Sequence, residues 1–296
     1  MLKKPLSIDE QIQKIKAHGI QIEDEDRAKE ILSQVSYYRL SGYALQFRLG
    51  NNSHSIQEGI SFEQICRIYC FDEELRNHLW KYVEKAEYHY KDLIGNEFAL
   101  RKCQNDPHDQ HYDASNYYDK AGITRTLLTF AKEKNYFHDS KIVKHHTERY
   151  GDKMPLWVML ELMTFSSVSM FYHAMYISDK KVIADKCGVS YATLENHLHC
   201  LSVLRNKCAH GARMYNTTIN PPARFTKSFL QNNPTVRNNS VFAYILVLLK
   251  RLPSDDLREK FRRDLYRVLT KYKDDIDVNL LGFPENYRKL LILRVR

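Results

Sequence analysis

Between Asn196 and Ser254 this chain has no aspartate and no glutamate, while Arg205, Lys207, Arg213, Arg224, Lys227, Arg237, Lys250 and Arg251 all fall inside. That absence excludes local charge neutralisation along the sequence and leaves a surface for a polyanion or a solvated basic face. Residues 201–296 carry 19 Lys and Arg against 8 Asp and Glu, so the formal charge of +9 belongs to that part of the chain. Glycine and proline are scarce, 10 and 8 among 296 residues, which argues against a fold of many closely spaced turns. Cys-x-x-Cys pairs are missing, and the six cysteines (66, 70, 103, 187, 200 and 208) mostly lie in apolar helical contexts. Buried free thiols are expected rather than a disulfide framework. No apolar run reaches the length of a membrane span, and the opening MLKKPLSIDEQIQ lacks the apolar stretch of a secretory signal. A reducing, cytoplasmic setting with no membrane partner is the expectation.

What is present is helical periodicity. Apolar residues recur at i, i+3, i+4 spacing in IDEQIQKIKAHGI, in RAKEILSQVSYYRL and in the long run from Phe62 to about Leu100. With 43% hydrophobic residues the chain has material for a real core. The reading is all-α: an N-terminal helical section over residues 1–55 and a helical bundle over 56–296. In the long run, Ile65, Ile68, Leu75, Leu79, Val83, Ala86 and Leu93 form one apolar stripe. RKCQNDPHDQHYDASNYYDKAG, about 101–121, reads as a polar insertion that projects from the core. Helices are expected near 122–134 and 138–150. From Pro155, PLWVMLELMTFSSVSMFYHAMYI is apolar enough to be one central, nearly surrounded helix. Next come a short helix, a turn at Gly188, and a long helix capped by Ser190 and ended by Gly211. After a Pro/Asn-rich crossing at about 217–239, two more helices follow, the second with Ser254 as its N-cap and Asp255 and Asp256 in its first turn.

The chemistry-bearing candidate is LRNKCAHGARMYN, where the long helix ends. Arg205 and His210 form an R-x4-H pair, a pattern that by itself carries little weight, because Arg48 to His54 and Arg101 to His108 are similar pairs. Those two run through loop-like segments, LGNNS and KCQNDP, whereas Arg205 to His210 lies on a capped helix that fixes its geometry. Five helical residues turn through about 500°, so Arg205 and His210 diverge by about 140°, while Asn206 and His210 are i, i+4 neighbours. Asn206 is therefore expected to orient His210. A histidine in the last turn sits where the helix dipole favours positive charge and can reach solvent. Cleavage of RNA needs a group that takes or gives a proton and a cation that holds the crowded phosphate, and His210 and Arg205 suit those tasks. The plain alternative is a capping histidine and a surface arginine.

At this point the sequence resembles a known family. KPLSIDEQIQKIKAHGIQIEDEDRAKEILSQVSYYRLSGY is similar to the N-terminus of the Abi-like proteins of bacterial abortive infection, of the AbiD and AbiF type. FDEELRNHLWKYVEKAEYHYKDLI, MPLWVMLELMTFSSVSMFY and LSVLRNKCAHGARMYN continue the likeness in order, over most of residues 4–216. The resemblance implies an all-α ribonuclease of HEPN type whose signature, R-x(4–6)-H often with Asn after the Arg, falls on Arg205, Asn206 and His210. It further implies metal-independent RNA cleavage that leaves a 2′,3′-cyclic phosphate, at a site composed by two HEPN units. One motif per chain then implies a homodimer. A toxin or phage-defence role follows, with a small structured non-coding RNA as antitoxin or partner, and no cofactor. The type VI CRISPR nucleases are similar in motif. Where the family commonly has a second histidine directly after the first, this chain has Gly211.

Arg39, Arg76, Lys207 and Arg213 are the candidate RNA contacts. Tyr37, Tyr38 and Tyr43 could stack on bases but read rather as packing of the first helices, and Arg76, Glu84 and Glu87 as a solvated face of the long helix or, by the resemblance, as groups that orient the motif. Other classes have weaker support. DKKVIADKCGVSYATLENHL mimics a DNA-binding helix-turn-helix, but its second helix offers no Lys or Arg near its start to approach phosphates. His197, Cys200, Cys208 and His210 match no usual zinc spacing, and DPHDQHYD at 106–113 is an ordinary soluble loop or a divalent-ion loop. An RNA-binding protein that does not cut, or an acceptor for nucleotide transfer by a partner enzyme, keeps the fold without the chemistry.

Overall fold

Capping residues set the register of this chain before packing does. In the computed structural model, which describes residues 4–50, 55–151 and 153–292, Ser7, Asp24 and Ser36 each accept a backbone N–H and open α1 (Ile8–Ala17), α2 (Glu25–Gln34) and α3 (Tyr37–Ser41). His54 lies outside the described residues. RAKEILSQVSYYRL is thus two helices, because Val35 is extended and Ser36 starts a new cap. Ser61 then opens α4 (Phe62–Lys102), whose 41 residues span about 60 Å.

The middle of the chain departs from its apolar pattern. After the insertion come α5 (Lys120–Tyr136) and α6 (Lys141–Tyr150). The insertion does not project: Tyr117 is fully buried and stacks on Phe98 at 5.1 Å, and buried His111 donates from Nε2 to the Met154 carbonyl at 2.9 Å. The run from Pro155 is two helices, α7 (Leu156–Leu162) and α8 (Phe165–Ala174), broken where Met163 turns extended and Thr164 caps the Ser167 N–H. Nor is it surrounded, since Trp157 is 56% exposed. Gly95 lets this pair approach α4 closely, as a Cβ there would stand 3.1 Å from Leu160.

α9 (Ile177–Lys186), the turn at Gly188 and α10 (Tyr191–Ala209) follow the expected boundaries. The crossing holds a short helix, α11 (Lys227–Asn232), before α12 (Val241–Arg251), α13 (Asp255–Lys271) and α14 (Tyr287–Ile292). α12 is the enclosed central helix: every residue from Val241 to Leu249 is buried. α4 packs on α7, α9, α10, α12 and α13, and α10 lies against α4, α8, α9 and α12. Among the described residues all regular structure is helical apart from isolated bridges, and no helix is long and apolar enough to cross a membrane. All six cysteines are free, and Cys70, against expectation, is exposed.

The basic stretch does not form one solvated face. Arg251 is buried, Lys250 stands over the Phe225 and Phe229 rings at 5.0 and 4.6 Å, and Arg237 donates to the Asn279 carbonyl at 3.0 Å. Burial holds the Lys250 amine down at about 8.

Candidate active site

Leu194, Leu198, Leu201 and Leu204 are fully buried and fix the rotation of α10, so the direction of each residue after them is set. Arg205 points to α4. Its Nε lies 3.4 Å from a Glu87 carboxylate oxygen, and its guanidinium stands 5.1 Å from the centre of the Trp80 ring. Glu87 is buried and shared, with Lys91 one turn on at 3.2 Å from its other oxygen. Lys91 in turn donates to the Glu161 carbonyl at 3.2 Å. Together with Glu84 and Tyr88 these groups line a cavity of about 290 Å³, into which Arg205 opens at 28% exposure. Of the two readings of Glu87 from sequence, a solvated face or a group that orients the motif, its buried ion pair with Arg205 agrees with the second.

Asn206 turns toward α8, where its Nδ2 donates to Ser166 Oγ at 3.1 Å. Its amide is thus committed and does not orient His210; the two are joined through backbone, His210 N–H to the Asn206 carbonyl at 3.0 Å. His210 is the C-cap of α10, exposed, and among the described residues its imidazole has no protein partner. The last turn behind it is locked. Gly211 adopts φ +60 and donates to the Cys208 carbonyl at 3.2 Å, while Ala212 donates to that of Lys207 at 2.9 Å. This pair of bonds is the Schellman closure, which requires a left-handed residue and so favours glycine at that position.

Two arginines then bind the N-terminal segment to this turn in opposite directions. Arg39 donates to the Gly211 carbonyl at 2.8 Å. Arg213 donates to the Gly42 carbonyl and stands over the Tyr43 ring at 5.9 Å. Beneath them lies Asp72, fully buried on α4, which accepts from the Tyr43 hydroxyl at 2.7 Å and from the backbone of Met214 and Tyr215 at 3.1 and 2.8 Å. Arg76, expected to meet RNA, is only 4% exposed and is ion-paired to that same carboxylate. It supports the chain after the motif and has no open path to a phosphate. Burial, with Asp72 behind it, holds the Tyr43 phenol far above its ordinary value. Arg39 is exposed and Lys207 and Arg213 half-buried, so those three keep an outward face beside His210.

The competing arrangements come apart. His197 is buried and bonds the Arg224 carbonyl through Nε2 at 2.8 Å, with burial pushing it down to about 3. Cys200 and Cys208 are pushed up to about 11 and 12 by burial. Among the described residues no three His, Cys, Asp or Glu side chains stand together as a metal-holding set. As for DNA binding, α10 packs on α4, α8, α9 and α12, and the part-exposed start of the helix carries no Lys or Arg to meet a phosphate.

A family model described as Abi-like protein matches residues 30–216. The chain belongs to the Abi-like protein family. The match takes in both arginine straps, Asp72, Glu87, Ser166 and the whole of α10, so the site of this Abi-like chain lies inside it. α1 and everything after Asn216 lie outside, including α12, which packs on α10. No curated protein and no solved structure matches the chain. Family membership suggests a part in abortive infection, a form of phage defence.

The sequence singles out Arg205, Asn206 and His210 as candidates but not Asp72 and Ser166, which the structure places against the motif and the chain after it. An Asp and an Arg one turn apart in the apolar stripe of a long helix was the available signal for Asp72. Ser166 had none, since nothing local distinguishes it from Ser167.

Proposed function

We propose that this Abi-like protein is a metal-independent endoribonuclease of phage defence, of HEPN type, in which His210 moves the proton and Arg205 steadies the phosphate. The observation that carries this reading is an exposed imidazole, without a protein partner among the described residues, at the end of a helix that is locked by its closure and by two arginine straps. A proton-transfer group must be free to meet substrate and yet held in place, and His210 satisfies both.

The reaction is transesterification. A base takes the proton of a ribose 2′-hydroxyl, the 2′-oxygen bonds to the adjacent phosphorus, and the phosphorus–O5′ bond breaks. The departing O5′ takes up a proton and a 2′,3′-cyclic phosphate remains. Two proton-transfer groups are thus needed, and one chain offers one exposed histidine at the motif. In a single chain Arg205 is turned to Glu87 and Trp80, and no contact joins it to the His210 ring. We therefore read the active unit as a homodimer in which two α10 ends meet, one His210 as base and the other as acid. Asn206, tied to Ser166, fixes the rotation of each end. A small non-coding RNA as controlling partner belongs to the same reading.

The test is cleavage of labelled RNA in EDTA by the wild type and by His210→Ala. The wild type should leave cyclic phosphate ends, and the variant should lose about 100-fold or more in rate with its melting temperature unchanged. Equal cutting by both would refute the assignment. Binding without cutting by either would make the chain an RNA clamp.

A further inference from the structure

The N-terminal section carries a groove that its net charge conceals. α1, α2 and α3 with the start of α4 enclose about 930 Å³, at the upper end of the range of ligand pockets. The floor is apolar, with Ile15, Leu32, Leu40 and Phe62, and no carboxylate lines any part of it. Of the acidic residues on the same helices, Asp9 is paired with Lys29 at 2.9 Å, Glu25 with Lys16, and Glu10 with Lys4 of the groove wall at 3.1 Å. Lys14 and Arg48 face the groove with no carboxylate partner among the described residues. Lys14 stands over the Tyr37 ring at 5.2 Å. Tyr38, beside it, is 89% exposed, which leaves the base-stacking reading of its sequence context and not the packing one.

We infer that this groove binds single-stranded RNA, with bases against Tyr38 and the apolar floor and phosphates on Lys14 and Arg48. An apolar floor with an exposed aromatic ring takes base faces, unpaired cations take the backbone, and the lack of carboxylates removes the repulsion that an anion would meet. The groove also leads somewhere. Tyr38 is followed by Arg39, whose guanidinium holds the Gly211 carbonyl directly after His210, so a strand leaving the groove along α3 arrives at the motif. The choice of RNA as the polyanion rests on the ribonuclease reading; the groove itself is independent of the motif.

The experiment uses the full chain and a fluorescent, 2′-O-methylated single strand of about 12 nucleotides, which cannot be cut by 2′-hydroxyl attack, with binding read by anisotropy. Tyr38→Ala should weaken binding about tenfold and Tyr38→Phe should keep wild-type affinity, because the ring and not the hydroxyl does the stacking. Lys14→Gln and Arg48→Gln should each flatten the salt dependence by about 0.7 in log–log slope, while Arg263→Gln on α13 should not. Wild-type affinity in all groove variants, an equal loss in Arg263→Gln, or equal binding of a duplex of the same sequence would overturn the assignment. Because this probe cannot be cut, its binding is read apart from cleavage: a failed cleavage assay refutes the nuclease and leaves the groove standing, and the reverse also holds.

Discussion

Buried carboxylates set the shape of this site more than its exposed cations do. Asp72 has no exposure, and its charge is balanced by Arg76 and by hydrogen bonds from Tyr43, Met214 and Tyr215. Asp72→Asn leaves a buried guanidinium without its counter-charge, and the expected cost is about 3–5 kcal/mol in urea unfolding. Adding Arg76→Met should return more than half of that loss, because the stranded cation is removed. A double variant as unstable as the single one would show that the backbone bonds, not the ion pair, carry the energy. Ser166→Ala is milder. It removes the acceptor of the Asn206 amide, which should cost about 1–2 kcal/mol, visible as a lower urea midpoint with an unchanged m-value.

The turn that closes α10 can be tested against a second turn in the same helical hairpin. Gly188 and Gly211 have nearly the same backbone, φ +64 and φ +60, but a Cβ on Gly188 meets nothing within 4 Å, whereas one on Gly211 meets Arg39 at 3.2 Å. Alanine at either should cost about 1–2 kcal/mol for the left-handed conformation, and Gly211→Ala should cost more by the displaced Arg39 bond. In an Arg39→Ala background the two costs should become equal; a persistent gap would place the strain elsewhere in the turn. The elements around these turns are legible in sequence because their signals are local: Ser190 and Ser254 cap α10 and α13 as expected, and α4 starts at Phe62. The run from Pro155 was misread because periodicity cannot register a single extended residue, Met163, inside continuous apolar sequence. The insertion was misread because two buried side chains, His111 and Tyr117, hold a polar segment down. Arg205 and His210 stand out in sequence on their helix, but the partners around them come from α4 and α8: Glu87 is 118 residues from Arg205, and Ser166 is 40 residues from Asn206.

At the scale of the molecule, three buried histidines make the fold sensitive to mild acid. Burial holds His197 down at about 3 and His78 and His111 at about 4. The unfolded chain binds these protons near pH 6.5 and the folded chain does not, so stability is full above that value and is lost as pH falls from about 6.5 to about 4. The loss should be on the order of a few kcal/mol, seen as a falling melting temperature between pH 7 and pH 5, above the range of ordinary carboxylate titration. A flat melting temperature over that interval would mean that water reaches these rings. The crossed arginine straps have a consequence of another kind. They join positions 172 and 171 residues apart, so on a ribosome the Arg39 segment emerges long before the turn that it grips. Until residue 213 has left the exit tunnel the two straps cannot both form, so the crossed joint between the N-terminal segment and the end of α10 closes only late in synthesis.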